Sequence, residues 1–348
     1  MRKYKVAGIV FGIIPEEPFI YMEYSPTVLE RIAKASRGEA GLDIRPTRAG
    51  DDVPHRTLIQ NKEDVLPRPA ELAGFARLDL SQYEPFYYDG PQEPDFSITI
   101  KRGLEKAPEL GEKVAEIHSL QPYYTIYEHD GCPRYTLDEN PETGEPAAIL
   151  AMSSNNRNGV LYTAERIKAS AAIFQLSTAL MLMFTYNAAS KGMLLIHASV
   201  IGFSGKANIF LGKSGTGKST HSRLWLENIP GADLLNDDNP ILGFNPEGKL
   251  CIYGSPWSGK TPCYRNVCAE VNAIVRLEQA PQNSISLKKG IEAYTTLVAS
   301  VSAIRWNRFL MDNIIATVEK ASQSVPVYQL DCLPNPDAAR LCQKTTFC

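Results

Sequence analysis

The segment Gly212-Lys213-Ser214-Gly215-Thr216-Gly217-Lys218-Ser219 constrains this chain more than any other, because the pattern GxxxxGK[ST] carries chemistry only between a strand and a helix. Both flanks are present. Residues 207–211 are apolar and strand-like, and 218–228 read as a helix stopped by Pro230-Gly231. Gly212, Gly215 and Gly217 let backbone amides turn inward around phosphate oxygens. Lys213, Ser214 and Thr216 complete the turn, Lys218 can reach β- and γ-phosphates, and Ser219 can ligate Mg2+. Thr220 follows in the first helical turn, whose positive end favours the same anion. The expected ligand is a purine nucleotide, ATP, with Mg2+.

The surrounding text reads as an α/β unit. Residues 193–201 form a strand, 202–206 a turn and 207–211 a second strand. After the helix, 232–236 make a third strand ending in Asp237-Asp238. A hairpin-like pair at 241–244 and 250–254 surrounds Asn245-Pro246-Glu247-Gly248. Then come a strand at 273–277, helices at 291–302 and 306–321, a strand at 325–330 and a short helix after Pro334-Asn335-Pro336. A long helix leads this unit, with Thr163 as N-cap and Lys191-Gly192 as its end. The expected division is a P-loop domain over 161–348 preceded by an α+β region over 1–160, whose position suggests acceptor recognition. That first region is rich in Pro, Tyr and Gly. Strands are expected at 5–13, 98–101 and 123–128, helical periodicity shows at 28–35 and 110–117, and 140–144 reads as a loop tip.

Three further groups converge on the phosphate loop. If the strands on either side of Ser204 pair around it, residue 197 lies opposite residue 211, and His197 sits at the mouth of the loop. The alternative is a core histidine satisfied by a backbone carbonyl. Asp237-Asp238 ends the strand that returns after the loop's helix, where acids can hold Mg2+, orient a nucleophile or take its proton; the alternative is an exposed acidic turn. Residues 254–261 repeat the GxxxxGK[ST] pattern, yet Pro256 lacks an amide proton and Trp257 is too bulky for a tight nest. This second match reads as a loop lending Lys260 and hydroxyls to phosphate or substrate, with Trp257 as a platform, or else as a structural turn. Arg265 is a further cation for the transferred phosphate.

Composition narrows the class. A net charge of -3 with 22% charged residues offers no basic face for nucleic acid. Seven cysteines without a CxxC or Cys/His cluster fit a reduced, cytoplasmic chain; Cys263 and Cys268 are spaced C-x4-C with no second pair beside them to make a zinc site. The apolar start at 6–14 reads as a buried strand, and the uncharged run 169–190 as a buried helix, because Gln175, Thr185 and Asn187 would be penalised in lipid. No membrane partner is expected, and the oligomeric state stays open, a homo-oligomer included.

Over 191–348, chiefly 195–262, these residues resemble the HPr kinase/phosphorylase family and its phosphoenolpyruvate-carboxykinase-like relatives. In that family a histidine precedes the P-loop on the neighbouring strand, as His197 does. The loop ends in GKS, and an apolar strand ends in paired aspartates, as Leu234-Leu235-Asn236-Asp237-Asp238 does. The resemblance implies an HPr-kinase-like P-loop domain with a mixed sheet and ATP-dependent phosphorylation of a hydroxyl. One aspartate would be the general base and the other would assist Mg2+; the working assignment puts Asp238 with Ser219 at the metal and leaves the choice of base open. The family usually has an acid directly after GKS, where this chain has Thr220-His221, and a downstream glutamate where it has Leu250-Cys251-Ile252-Tyr253-Gly254. The pattern is that of a divergent subgroup, for which free serine and peptide hydroxyls are known acceptors. A regulatory nucleotide-binding protein or NTPase is the competing reading, and a carboxykinase-type enzyme a third.

Overall fold

The computed structural model describes residues 1–16, 19–21, 76–117, 124–140, 143–165, 167–259, 262–302 and 305–347. They divide into two compact units that meet in sequence between Asn187 and Ala188. Both are mixed α/β structures built on large sheets.

The first unit is laid down by β1 (Arg2–Val6), β2 (Ile9–Pro15), a short parallel pair β3 (Phe19–Tyr21) and β4 (Ala76–Leu78), then β5 (Phe96–Arg102), β6 (Glu112–Ile117), β7 (Tyr124–His129), β8 (Cys132–Leu137), β9 (Ala148–Met152) and β10 (Asn158–Thr163). Eight of these form one sheet in the order β1-β2-β5-β10-β9-β8-β7-β6. The run expected as one strand over 5–13 is a hairpin. Ala7 and Gly8 both take positive φ, 48° and 81°, so the chain reverses in a two-residue turn and Val6 pairs with Ile9. The periodicity at 110–117 is not helical either. Gly111 lies against the Glu128 backbone, and β6 then pairs along β7 as an edge strand. The helix expected at 28–35 lies outside the described residues, as do residues 141–142 of the expected loop tip.

The long helix α1 (Ala169–Ala189) starts six residues after the expected cap. Thr163 is instead the last residue of β10, fully buried, with its hydroxyl donating to the Lys101 carbonyl. Nor does this helix head the second unit, where the sequence places it. The Tyr186 and Tyr135 hydroxyls meet at 2.7 Å, Gln175 donates to the Ala147 carbonyl, Asn187 donates to that of Asn156, and Leu176, Leu180, Met183 and Phe184 are fully buried. Among the described residues it is the one helix apolar and long enough to cross a membrane by length and composition. The Gln175 and Asn187 amides and the Tyr186 hydroxyl bond to protein, as in a core helix.

The second unit holds β11 (Met193–Leu195), β12 (Ala198–Phe203), β13 (Lys206–Leu211), α2 (Lys218–Asn228), β14 (Asp233–Asp238), β15 (Ile241–Phe244), β16 (Leu250–Tyr253), β17 (Cys268–Gln279), β18 (Ser284–Lys288), α3 (Ile291–Val298), α4 (Arg308–Ser324), β19 (Val327–Cys332) and α5 (Pro336–Thr346). The sheet runs β11-β15-β16-β17-β13-β12-β14, with β19 on β17 and β18 on β19. β13, β17 and β19 are mutually parallel, and β14 is parallel to them because both β13 and β14 pair antiparallel with β12. Four strands therefore point their carboxyl ends at one edge of the sheet, the edge where open α/β sheets bind ligands.

Residues 193–201 are not one strand. The Ile196 amide donates to the Pro240 carbonyl and the His197 amide to that of Ser300, so the chain changes partners there and β11 leaves for β15. On one face of the sheet α2 and α5 bury Trp225, Phe210, Ile201, Leu277, Leu330 and Cys342. Trp225 is fully buried and meets Phe203 edge-on at 6.2 Å.

Candidate active site

The β12–β13 hairpin turns on Ser204 and Gly205, with φ of 50° and 78°. Its register pairs Ser199 with Phe210 and Phe203 with Lys206, one residue away from a turn centred on Ser204. Position 197 thus falls just beyond the end of β12 rather than opposite residue 211. His197 still reaches the loop, held by a hydrogen bond from its backbone amide to the Ser300 carbonyl at 2.7 Å.

β13 ends at Leu211 and the chain enters the glycine loop. A side chain at Gly212 would press on the Thr216 hydroxyl at 2.5 Å and on the Leu277 carbonyl at 3.3 Å. The Thr216 amide and hydroxyl both donate to the Lys213 carbonyl, closing the turn. Gly217 starts α2 in the left-handed region, φ 103° and ψ 22°, and no side chain caps the helix there. The first turn of α2 thus presents its amide end at the carboxyl edge of the sheet, the arrangement that receives anions.

Lys218 is buried, and its ammonium donates to Gly212 O at 2.9 Å and meets His197 Nε2 at 2.8 Å. An ammonium only donates, so Nε2 accepts, and the ring proton sits on Nδ1. Nδ1 faces Asp238 Oδ1 at 3.1 Å. Lys218, His197 and Asp238 form one hydrogen-bonded chain. Burial pushes the Lys218 ammonium below the ordinary lysine range, and the negative charges of Asp238 and Asp237 partly oppose that shift.

The two aspartates part company, as neighbours in a strand must. Asp237, buried, lines a cleft of about 230 Å3 together with Ser219, Thr220 and Arg223. Asp238 is engaged by His197. Of the two acids it is Asp237 that shares a cleft with Ser219, while strand alternation turns the Asp238 carboxylate toward His197. Among the described residues no three His, Cys, Asp or Glu side chains gather into a metal-holding group.

The second GxxxxGK[ST] match lies along the end of β14. Ser258 forms a bridge with Asp238, the Gly259 amide donates to the Asp237 carbonyl at 3.2 Å, and the Asn239 amide donates to the Trp257 carbonyl. Ser255 is fully buried, with its hydroxyl on the Asn239 carbonyl at 2.6 Å. Two expectations here fail. Trp257 is only 3% exposed, so its ring is packed inside and offers no platform. Arg265 pairs with Asp233 at 2.7 Å and donates to the Leu234 carbonyl, at the opposite end of β14 from Asp238. Its guanidinium is committed there rather than at the loop. Lys260 lies outside the described residues. Nearby, the Cys263 thiol donates to the Leu234 carbonyl, and burial pushes it up to about 12, an inert structural thiol.

A larger cleft of about 590 Å3 opens on the other side of α2, bounded by Gly215, Gly217, Leu277, Pro281 and Leu333. Sequence reasoning did not single out its far wall. The signal available was indirect: two strands parallel to β13 must bring their carboxyl ends to the same edge, and the residues after 279 and 332 follow those ends.

No protein-family model matches the chain, and no curated protein matches its sequence. Among solved structures, the HPr(Ser) kinase/phosphatase from Coxiella burnetii matches with 12% identity and a TM-score of 0.26, over 43% of this chain and 86% of that one. A likeness of that size shows neither family nor activity.

Proposed function

We propose that this protein is an ATP-dependent kinase that moves the γ-phosphoryl group to a hydroxyl acceptor. The observation that carries the reading is the chain Lys218–His197–Asp238 beside a glycine loop, with Asp237 turned into the cleft of Ser219. A regulatory site needs only the loop; phosphoryl transfer also needs a group to take the hydroxyl proton and cations to absorb charge.

The residues divide as follows. The loop 212–219 and the amide end of α2 bind the phosphates. Lys218 leaves His197 for phosphate oxygens and supplies positive charge where negative charge accumulates. His197 Nε2, released from the ammonium, accepts the acceptor's proton, and the Asp238 carboxylate on Nδ1 fixes the tautomer and stabilises the imidazolium. Ser219 and Asp237 would hold Mg2+, which neutralises phosphate charge. Two protein oxygens fit that ion, because Mg2+ at such sites takes its other ligands from phosphate and water. The free thiols among the described residues suit a cytoplasmic setting.

The test is the variant Asp237→Asn plus Asp238→Asn, assayed with γ-labelled ATP and a panel of hydroxyl compounds that includes free serine. ATP binding should persist while transfer falls by about 100-fold or more. Normal transfer by that variant would overturn the assignment.

A further inference from the structure

We infer that the 590 Å3 cleft is the nucleoside subsite, so that the nucleotide lies across the amide end of α2 with its base under β17 and β19 and its transferable end in the cleft of Asp237. This rests on the phosphate-loop reading above and gives the bound molecule a direction.

The two clefts differ in size and lining. The smaller, about 230 Å3, contains a buried carboxylate, Asp237, three hydroxyl residues of α2, Ser219, Thr220 and Ser222, and the Arg223 side chain. It is below the roughly 300–1,000 Å3 typical of ligand pockets. The larger, about 590 Å3, falls inside that range. Its apolar walls include Leu224, Leu277, Pro281, Leu333 and Pro334, from three separate segments. That is the lining a flat heteroaromatic ring needs, because its two faces are apolar and only its edge is polar.

Its origin is topological. β17 and β19 end in register, Gln279 opposite Cys332, so the turns that follow both strands rise together beside the loop. Gln279 spans the gap, its amide donating to the Gly215 carbonyl at 3.5 Å, and so sets a polar group at the junction of loop and cleft. Loop glycines 215 and 217 line the cleft directly, so a phosphate chain on the loop continues into it without a break.

Thr220 lines both clefts. The helix end therefore stands between them, and a ligand whose phosphates sit on the loop has its two ends on opposite sides of that helix.

The experiment compares ATP with inorganic tripolyphosphate, binding each to the full chain and to Leu333→Asn. Leu333 is 38% exposed, so its replacement leaves the core intact. The expected result is that Leu333→Asn weakens ATP by about tenfold and leaves tripolyphosphate unchanged. Photolabelling with 8-azido-ATP should in addition mark peptides carrying residues 279–281 or 332–334. Equal ATP affinity in both proteins, or label found only elsewhere, overturns the subsite while leaving the phosphate loop in place. If the unaltered chain binds neither ATP nor tripolyphosphate, the phosphate-loop reading itself fails, and the subsite with it.

Discussion

Lys218 is buried as a cation with no direct carboxylate partner among the described residues: its acceptors there are a histidine nitrogen and the carbonyls of Gly212 and Lys213. Such a group costs free energy in the resting protein and recovers it when an anion arrives. Lys218→Met should therefore separate the two effects. We expect stability to change by less than about 1 kcal/mol, or to rise, because the desolvated charge is gone. ATP affinity should fall by tenfold or more, as a charge-assisted hydrogen bond is worth roughly 1.5–3 kcal/mol. Denaturant unfolding and a nucleotide titration read the two quantities, and unchanged ATP affinity would remove Lys218 from the site. At this scale the sequence shows which residue types matter better than it shows where they point. Asp237-Asp238 stands out as a pair, yet only the strand's orientation tells that Asp237 joins Ser219 and Asp238 joins His197. Arg265 and Trp257 look available in the sequence and are taken up by packing, through contacts with Asp233 and with the core that no local pattern displays.

At the scale of elements, α2 is the partition on which the site is built. One side carries Ser219, Ser222, Arg223 and Leu226, the other Gly217, His221 and Leu224, as residues three and four apart share a helix face. Its bounds are legible in the sequence, since Gly217 and Pro230-Gly231 punctuate both ends. The break at Ile196-His197 is not, because a continuous apolar run carries no sign that Pro240 and Ser300 will claim its amides. The one-residue slip of the β12–β13 register has a similar origin: a two-residue turn and a turn centred on one residue look alike in sequence. Inside α2, His221 accepts the Trp225 indole proton at 3.1 Å and lies edge-on to Phe210. Burial pushes its imidazole down to about 4 from 6.5. The folded state thus refuses a proton that the unfolded chain accepts. This contribution is fully present above pH 6.5 and is lost as pH falls toward 4. Between pH 6.5 and 4.5 the chain should lose about 1–3 kcal/mol through this group. His221→Gln should show a flatter fall over that window in denaturant unfolding, and identical slopes would refute the assignment.

At the scale of the molecule, two sheets each carry a buried core, and every residue assigned to nucleotide belongs to the unit after Asn187. Calorimetry should therefore resolve two transitions, only one of which moves with ATP and Mg2+. At a hundredfold excess over the dissociation constant, linkage contributes about 2.7 kcal/mol, or roughly 5–10 °C for a unit of this size. Movement of both transitions, or of neither, would contradict that confinement. The second unit is the more legible of the two, because the GxxxxGK[ST] pattern calls for a strand before it and a helix after it. In the first unit the strands at 98–101 and 123–128 are readable, but the Ala7-Gly8 reversal and the edge strand β6 depend on partners far along the chain. The shared wall at Thr220 bears on how the proposed kinase could be blocked. A straight, rigid molecule cannot fill both clefts, because the helix end stands in its path. A two-headed inhibitor would need a bend at the phosphate mimic, with its heteroaromatic arm folded toward Leu333 and its metal-binding arm toward Asp237.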